Sequence, residues 1–220
     1  MKQGIGQTAS NSSGNLDIFW KNKLGLILSL AIASLFVWSG IAPYNRGVWY
    51  VEIVTAIVPL VLFVFVARKF PFSIVSYVLL GWWVILQIIG AHYSFERVPF
   101  EWVTQTFGFA RNHYDRLAHF SVGLSAYIAA EYVLGRHIVN TVKSAAFFGL
   151  IFIMALANAW ELIEWAYAEI DGGEVGAAFL GSQGDIWDAQ KDMLMDTLGA
   201  LAAALLFCFA HRKDGQDKGA

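Results

Sequence analysis

Three apolar stretches in the C-terminal half carry acids and a histidine at helical spacing. The first holds Asp115, Arg116 and His119, the second Glu161 and Glu164, the third Asp185, Asp188, Lys191, Asp192 and Asp196. Asp115 and His119, at i,i+4, share one helix face, and so do Glu161 and Glu164 at i,i+3. Asp188, Asp192 and Asp196 form a ladder that drifts about 40° per step and descends about 12 Å. Imidazole and carboxylates together suit zinc, manganese or iron, and an open coordination position would activate water. Without metal the same groups can act as an acid/base pair or a proton relay. A third account is a salt-bridge network that locks the helices together. No Glu-x-x-His or His-x-x-x-His spacing decides among them.

On the chemical readings, Asp115, His119, Glu161, Glu164, Asp192 and Asp196 are the candidate catalytic groups. His119, Glu161, Asp188 and Asp192 are the candidate ligands of a divalent metal. Arg116, Gln183, Asp185, Asp188 and Lys191 are the candidate substrate contacts. Asp185 also reads as the N-cap of the last helix, after the turn formed by Gly181, Ser182, Gln183 and Gly184. Capping does not explain Asp192 and Asp196, which lie too deep in the helix. Asp188, Lys191, Asp192 and Asp196 would together cost about 10–14 kcal/mol facing lipid at mid-bilayer. They must therefore face protein, water or a counter-ion. Acids outnumber the nearby cations Arg111, Arg116 and Lys191, so protons or a bound cation must balance the excess.

The elements that position these groups are membrane spans. Of 220 residues, 57 % are hydrophobic and 15 % charged, and the apolar residues fall in long runs. A helix needs about 20 apolar residues to cross the hydrocarbon core. Six runs qualify: 24–42, 48–67, 71–91, 116–134, 144–168 and 187–210. The expected fold is all-α and polytopic, with a single six-helix domain over 24–210. Tails of 1–23 and 211–220 are expected to be polar and disordered. Lys2, Lys21, Lys23, Arg68, Lys69, Arg136, Lys143, Arg212, Lys213 and Lys218 fall on one side of that arrangement. Arg46, Arg97, Arg111, Arg116 and Lys191 fall on or near the other. The excess of basic residues predicts that both termini are cytoplasmic and that the acid-rich ends of the spans face outward. The single cysteine, Cys208, reads as a packing residue.

The longest connection, 92–114, mixes Tyr93, Phe95, Phe100, Trp102, Phe107 and Phe109 with polar residues. Pro99 could open a short helix with Phe100, Val103 and Phe107 on one face. That segment reads as an interfacial amphipathic helix or as a structured external lid. Trp38, Trp49, Trp102, Trp160, Trp165 and Trp187 fall near the outer boundary, whereas Trp82 and Trp83 read as packing residues. His92 and His113 are expected at the acid-rich end. Glu131, at the far end of its span near Arg136, reads as snorkelling or paired. Glu52 lies near the outer boundary, and Gln87 and Asn158 are interhelical hydrogen-bond candidates. Ala118, Gly123, Ala126, Ala157, Gly199 and Ala203 would let spans four to six approach closely. The lack of a basic patch disfavours nucleic-acid binding.

Three blocks carry a resemblance to a known family. They are Tyr114-Asp115-Arg116-Leu117-Ala118-His119-Phe120, Trp160-Glu161-Leu162-Ile163-Glu164-Trp165, and the run from Leu180 to Met193. Together they resemble the YjdF-like family of uncharacterised bacterial inner-membrane proteins, in a layout covering most of 45–210. More distantly, Asp115-Arg116 with His119-Phe120, a Glu in the next span, and Asp192, Asp196 and Gly199 resemble the VanZ-like proteins. Asp196 stands where those often have Asn, and Glu164 where Gln often follows the Glu. VanZ-like proteins are associated with glycopeptide resistance, teicoplanin in particular. The resemblance implies a shared site location in a bacterial cytoplasmic membrane and supplies no reaction.

The expected role is in the cell envelope. It would act on an amphiphilic or lipid-linked ligand at the external face, by metal-dependent hydrolysis or transfer. The alternative is a non-enzymatic membrane protein, either a proton-coupled permeation component or a structural partner of envelope enzymes.

Overall fold

The computed structural model describes residues 23–171, 180 and 182–212, and every element among them is helical. Of the tails expected over 1–23 and 211–220, residues 1–22 and 213–220 lie outside the described residues, as does Gly181 of the turn. The helices are α1 (Lys23–Ser39), α2 (Arg46–Ala67), α3 (Ile74–Tyr93), α4 (Glu101–Phe107), α5 (Tyr114–Gly123), α6 (Ala126–Gly135), α7 (Val142–Asp171) and α8 (Asp188–Ala210). A 3-10 turn, Phe95–Arg97, precedes α4.

Five stretches are long and apolar enough to cross a membrane: α2, α3, α5 with α6 as one unit, α7 and α8. Side chains such as Leu62, Phe147 and Leu205, 58 %, 64 % and 72 % exposed, face outward from the bundle, as lipid-facing residues must. The protein is therefore a polytopic helical membrane protein. The first expected span ends sooner than its apolar run, which reaches Ala42: α1 stops at Ser39.

Local signals explain the helix ends. Asn45 caps α2, its side-chain oxygen accepting from the backbone N–H of Gly47 (2.9 Å) and Val48 (3.1 Å). α5 and α6 form a single span with one tightened turn, where Ser125 N–H reaches Val122 O at 2.8 Å. The start of α3 is capped from outside. Glu131 of α6 accepts from the Ser73 N–H (2.7 Å), from Ser73 Oγ (3.1 Å) and from Ser76 Oγ. The expectation that Glu131 snorkels or pairs near Arg136 is thus corrected. Its carboxylate satisfies a helix N-terminus that would otherwise keep orphan donors.

The connection between α3 and α5 is fastened down. Asn112 Nδ2 donates to Glu96 O (3.1 Å) and Val98 O (2.8 Å). The expected apolar face of α4 divides: Phe100 packs on the Tyr114 ring at 5.6 Å, whereas Phe107 is 65 % exposed beside exposed Trp102.

α8 lies along α5, α6 and α7, and α3 lies along α1, α2 and α5. The tightest approach is between α5 and α8. A Cβ on Gly123 would stand 2.3 Å from Asp196 O, and one on Gly199 would stand 2.0 Å from Phe120 O. Only glycine lets the two backbones touch there. Gly149 of α7 is equally close to Ala126 O, at 2.3 Å.

Gly123→Ala and Gly199→Ala should each cost on the order of 1–3 kcal/mol through overpacking against backbone. Thermal melts of the purified full chain in detergent check this: both midpoints should fall. Gly40→Ala, whose Cβ meets only a 3.4 Å contact with the Trp49 ring, should change little.

Candidate functional site

The α5–α8 contact brings the ionisable residues of both helices face to face. Asp188, Asp192 and Asp196 of α8 are 8 %, 3 % and 1 % exposed, and Arg116 of α5 is 6 % exposed. None of them faces lipid, so each must be satisfied within the protein. The groups fall into two layers.

The first layer is a set of ion pairs at the helix mouths. Arg116 bridges Asp188 and Asp192 with one nitrogen to each, in a short contact at both. Arg111, from the connection before α5, reaches Asp188 at 2.5 Å and the Ser182 carbonyl at 3.0 Å. Asp185 lies 3.5 Å from Arg111 and 3.7 Å from Arg116, and takes Lys191 Nζ at 2.6 Å. Three cations thus meet three aspartates, and this layer is balanced. Gln183 closes its rim, with Asn112 N–H donating to Gln183 Oε1 (3.0 Å) and Gln183 Nε2 donating to Asn112 O (3.1 Å). Of the expected substrate contacts, Arg116, Gln183, Asp185, Asp188 and Lys191 all have partners of their own here.

Asp185 also accepts from the Trp187 N–H at 3.1 Å. The bond from Lys191, and then that N–H, hold its carboxyl below the usual carboxylate range. It fastens the turn before α8 but is not the N-cap expected from the sequence: the helix starts at Asp188 and the capping position is Trp187, with no side-chain cap. At the start of α5, His113 packs its ring on Phe109 at 4.4 Å. Burial first, and then the nearby Arg111, Arg116 and Lys191, hold its imidazole below the ordinary histidine range.

The second layer is centred on His119. Its Nδ1 lies 2.9 Å from Asp196 Oδ2. Its Nε2 faces two further carboxylates, Asp115 Oδ1 at 3.7 Å and Asp192 Oδ1 at 3.8 Å. One ligand atom each from Asp115, His119 and Asp192 falls within 4.8 Å of the others, the spacing of a set that could hold a metal ion. With Nδ1–H given to Asp196, Nε2 keeps its lone pair for that shared space. Glu161 and Glu164 of α7 come close enough for their charges to act on His119 and Asp115. Glu161 Oε1 and Asp196 Oδ1 are buried with no hydrogen-bond partner among the described residues. This layer holds four acids from three helices and one imidazole, so its carboxylates exceed its cations.

The expected ligand set is thus regrouped. Asp188 is committed to two arginines, and Asp115 stands in the three-residue cluster in its place. Glu161 borders the cluster with an unpartnered oxygen. Asp115 and Asp192, expected as catalytic groups, are in the cluster, and Asp196 is behind the imidazole.

His92 is in the last turn of α3, at the end of the bundle where it was expected, but it stands apart from the acids: its ring packs on Trp38 at 4.1 Å and its Nδ1 lies 3.1 Å from Ser39 O, at the α1–α3 junction. Glu52 of α2, expected only near a boundary, is buried and accepts from Gln87 Nε2 at 2.9 Å. Its carboxylate is also within electrostatic reach of Asp115 and His119. Gln87 therefore fulfils its expected interhelical role, also donating to Thr55 Oγ1 at 2.7 Å, whereas Asn158 is exposed. A lone acid in an apolar run was the available signal for Glu52, but single-helix spacing does not show which neighbours it meets.

Fold and site together define a polytopic helical membrane protein with a buried ionic centre between spans. The chain belongs to the family described as Predicted membrane protein (DUF2238), whose model matches residues 24–213. It is similar to the inner membrane protein YjdF of Escherichia coli (strain K12), 33 % identical over 186 residues that make up 83 % of this chain and 88 % of that protein. No solved structure matches it.

Arg116→Ala leaves Asp188 and Asp192 buried without their shared partner and should cost about 3–5 kcal/mol. Arg116→Ala combined with Asp188→Asn should recover part of that loss, read from detergent melting midpoints. The Asp185 clasp is depressed in pKa when folded, so its contribution is complete above the ordinary carboxylate range near about pH 4. It is lost as pH falls through the lowered folded value. Hydrogen exchange at the Trp187 amide should stay slow down to about pH 4 and accelerate only below it.

Proposed function

We propose that Asp115, His119 and Asp192 form a divalent-cation centre that serves hydrolysis or group transfer on an amphiphilic or lipid-linked substrate. The observation that carries this reading is the orientation of His119. Asp196 takes one ring nitrogen, and the other is turned into a space shared with two carboxylates within 4.8 Å. Carboxylate-backed histidines of this kind are how proteins fix the tautomer and aim of a metal ligand. Asp192 already has Arg116, but Asp115, Asp196, Glu161 and Glu164 form no ion pair with an arginine among the described residues, and that excess of acids supports the same reading, since a bound cation would neutralise part of it.

In this reading Asp115, His119 and Asp192 are ligands and Asp196 orients the imidazole. Glu161, with its unpartnered Oε1, and Glu164 behind it accept a proton from the attacking water. A cation bound there would lower the pKa of that water and polarise the bond to be broken. The Arg116–Asp188 pair keeps Asp192 in position. Exposed Ile186 and Trp187 beside the mouth give an apolar part of the substrate a surface to lie along.

The distribution of Lys and Arg supports six spans with both termini cytoplasmic, α1 being the first. The same distribution supports a mouth that opens on the external face, and the name of the Escherichia coli relative supports a bacterial inner membrane as its location. The Asp-Arg-x-x-His-Phe order, with Asp192, Asp196 and Gly199, supports a distant kinship with the VanZ-like proteins in site location.

A second reading has its own observation. Arg116 is paired to both Asp188 and Asp192, as a helix lock would require, with His119 and the remaining acids as a proton relay and no enzymatic role.

Elemental analysis of protein purified without chelator separates the two. Near-stoichiometric divalent metal is expected in the wild type. It should be lost in His119→Ala/Asp192→Asn, with the helical circular-dichroism signal retained. Metal-free, well-folded wild type that does not reload from added zinc or manganese would sink the metal centre and leave the lock or relay.

A further inference from the structure

A second site lies at the opposite end of the bundle, independent of the His119 centre. A cavity of about 410 Å³ opens where the connection after α2, the end of α6 and the end of α8 come together. Three basic residues line it, one from each element: Lys69, Arg136 and His211. Its apolar wall includes Phe70 and Phe207, which are 8 % and 0 % exposed. Basic groups above an apolar wall, at the end of membrane spans, match the two halves of an anionic lipid.

The acid that lines the cavity is already committed. Glu131 gives both carboxylate oxygens to Ser73 and Ser76 at the start of α3. Among the described residues no carboxylate lies within ion-pair distance of Lys69 or Arg136. Lys69 lies over the Phe65 ring at 5.4 Å, and His211 holds its Nδ1 2.9 Å from Phe207 O, leaving Nε2 to the other side of the ring. The helix cap thus holds Glu131 on the serines, and among the described residues it forms no ion pair with the cations around the cavity, which outnumber it.

We propose that this cavity binds the phosphate-bearing headgroup of an anionic lipid, through Lys69 and Arg136 with His211 at its edge. The acyl chains would extend from the cavity into the surrounding hydrocarbon. Volume agrees, since cavities of about 300–1,000 Å³ hold small ligands.

Native mass spectrometry of the full chain, stripped of lipid in detergent, tests this with dioleoylphosphatidylglycerol against dioleoylphosphatidylcholine. The anionic lipid should be retained and the zwitterionic one lost. Removing one basic contact should weaken binding about fivefold, and Lys69→Gln/Arg136→Gln about 30-fold. Arg68→Gln removes a neighbouring charge outside the cavity and should change binding less than about twofold. Arg136→Lys keeps the charge and should retain the lipid, which covers the case in which the double variant misfolds. Equal retention of both lipids, an unchanged double variant or an equal loss in Arg68→Gln would each overturn the site. Displacement of the lipid by millimolar inorganic phosphate would overturn the lipid assignment and make the occupant a soluble phosphate anion.

Discussion

The structure depends on the cost of ionised groups where water is scarce. Asp188 and Asp192 are buried side by side on α8, and Arg116 of α5 is the group that reaches both. Without it, Asp192 would lose its cation and Asp188 would keep only Arg111, so one or both would have to take up a proton in a low-dielectric interior. That one guanidinium therefore fixes how α5 and α8 are rotated about their axes. Once they are fixed, His119 and Asp196 must meet, because each lies one helical turn deeper on the same face as its partner in the first layer. The deeper cluster follows from the upper pairing.

The two ends of the bundle treat carboxylates in opposite ways. At the His119 end, acids from α5, α7 and α8 converge beyond the number of cations available, and two buried oxygens keep no partner among the described residues. At the other end a single acid, Glu131, has three donors from the start of α3. Surplus negative charge is a demand for a cation or a proton. A carboxylate held by three neutral donors has its lone pairs satisfied and forms no ion pair with the basic residues nearby.

Much of this was legible in the sequence because the relevant periods are short. The i,i+4 relation of Asp115 and His119 and the ladder from Asp188 to Asp196 specify helix faces, and long apolar runs specify spans. Gly123 and Gly199 were legible as contact residues because a stripe of small residues has few other uses inside a membrane. Pairings between spans were less legible. Nothing local says that Asp188 belongs to Arg111 and Arg116 while Asp115 faces Asp192, since that depends on the relative rotation of two helices. Glu131 and Glu52 were underestimated for the same reason: their partners, Ser73 and Gln87, are 58 and 35 residues away. α1 stops before the end of its apolar run because hydropathy measures composition, whereas a helix end also depends on where the chain turns, here at Gly40 to Pro43.

The glycine crossing has a mechanical consequence. Gly123 is one turn beyond His119, and Gly199 is three residues beyond Asp196. The backbones touch there, so the contact acts as a fulcrum just below the imidazole. Two rods in contact at a fulcrum can tilt, but they cannot move closer, and their separation near that point hardly changes with tilt. The His119–Asp196 distance is therefore insulated from the bending and thickness fluctuations of the surrounding bilayer, and any tilt is felt farther up the lever, where the ion pairs of Arg111 and Arg116 resist it. A fixed separation at the imidazole would come from the same pair of missing side chains.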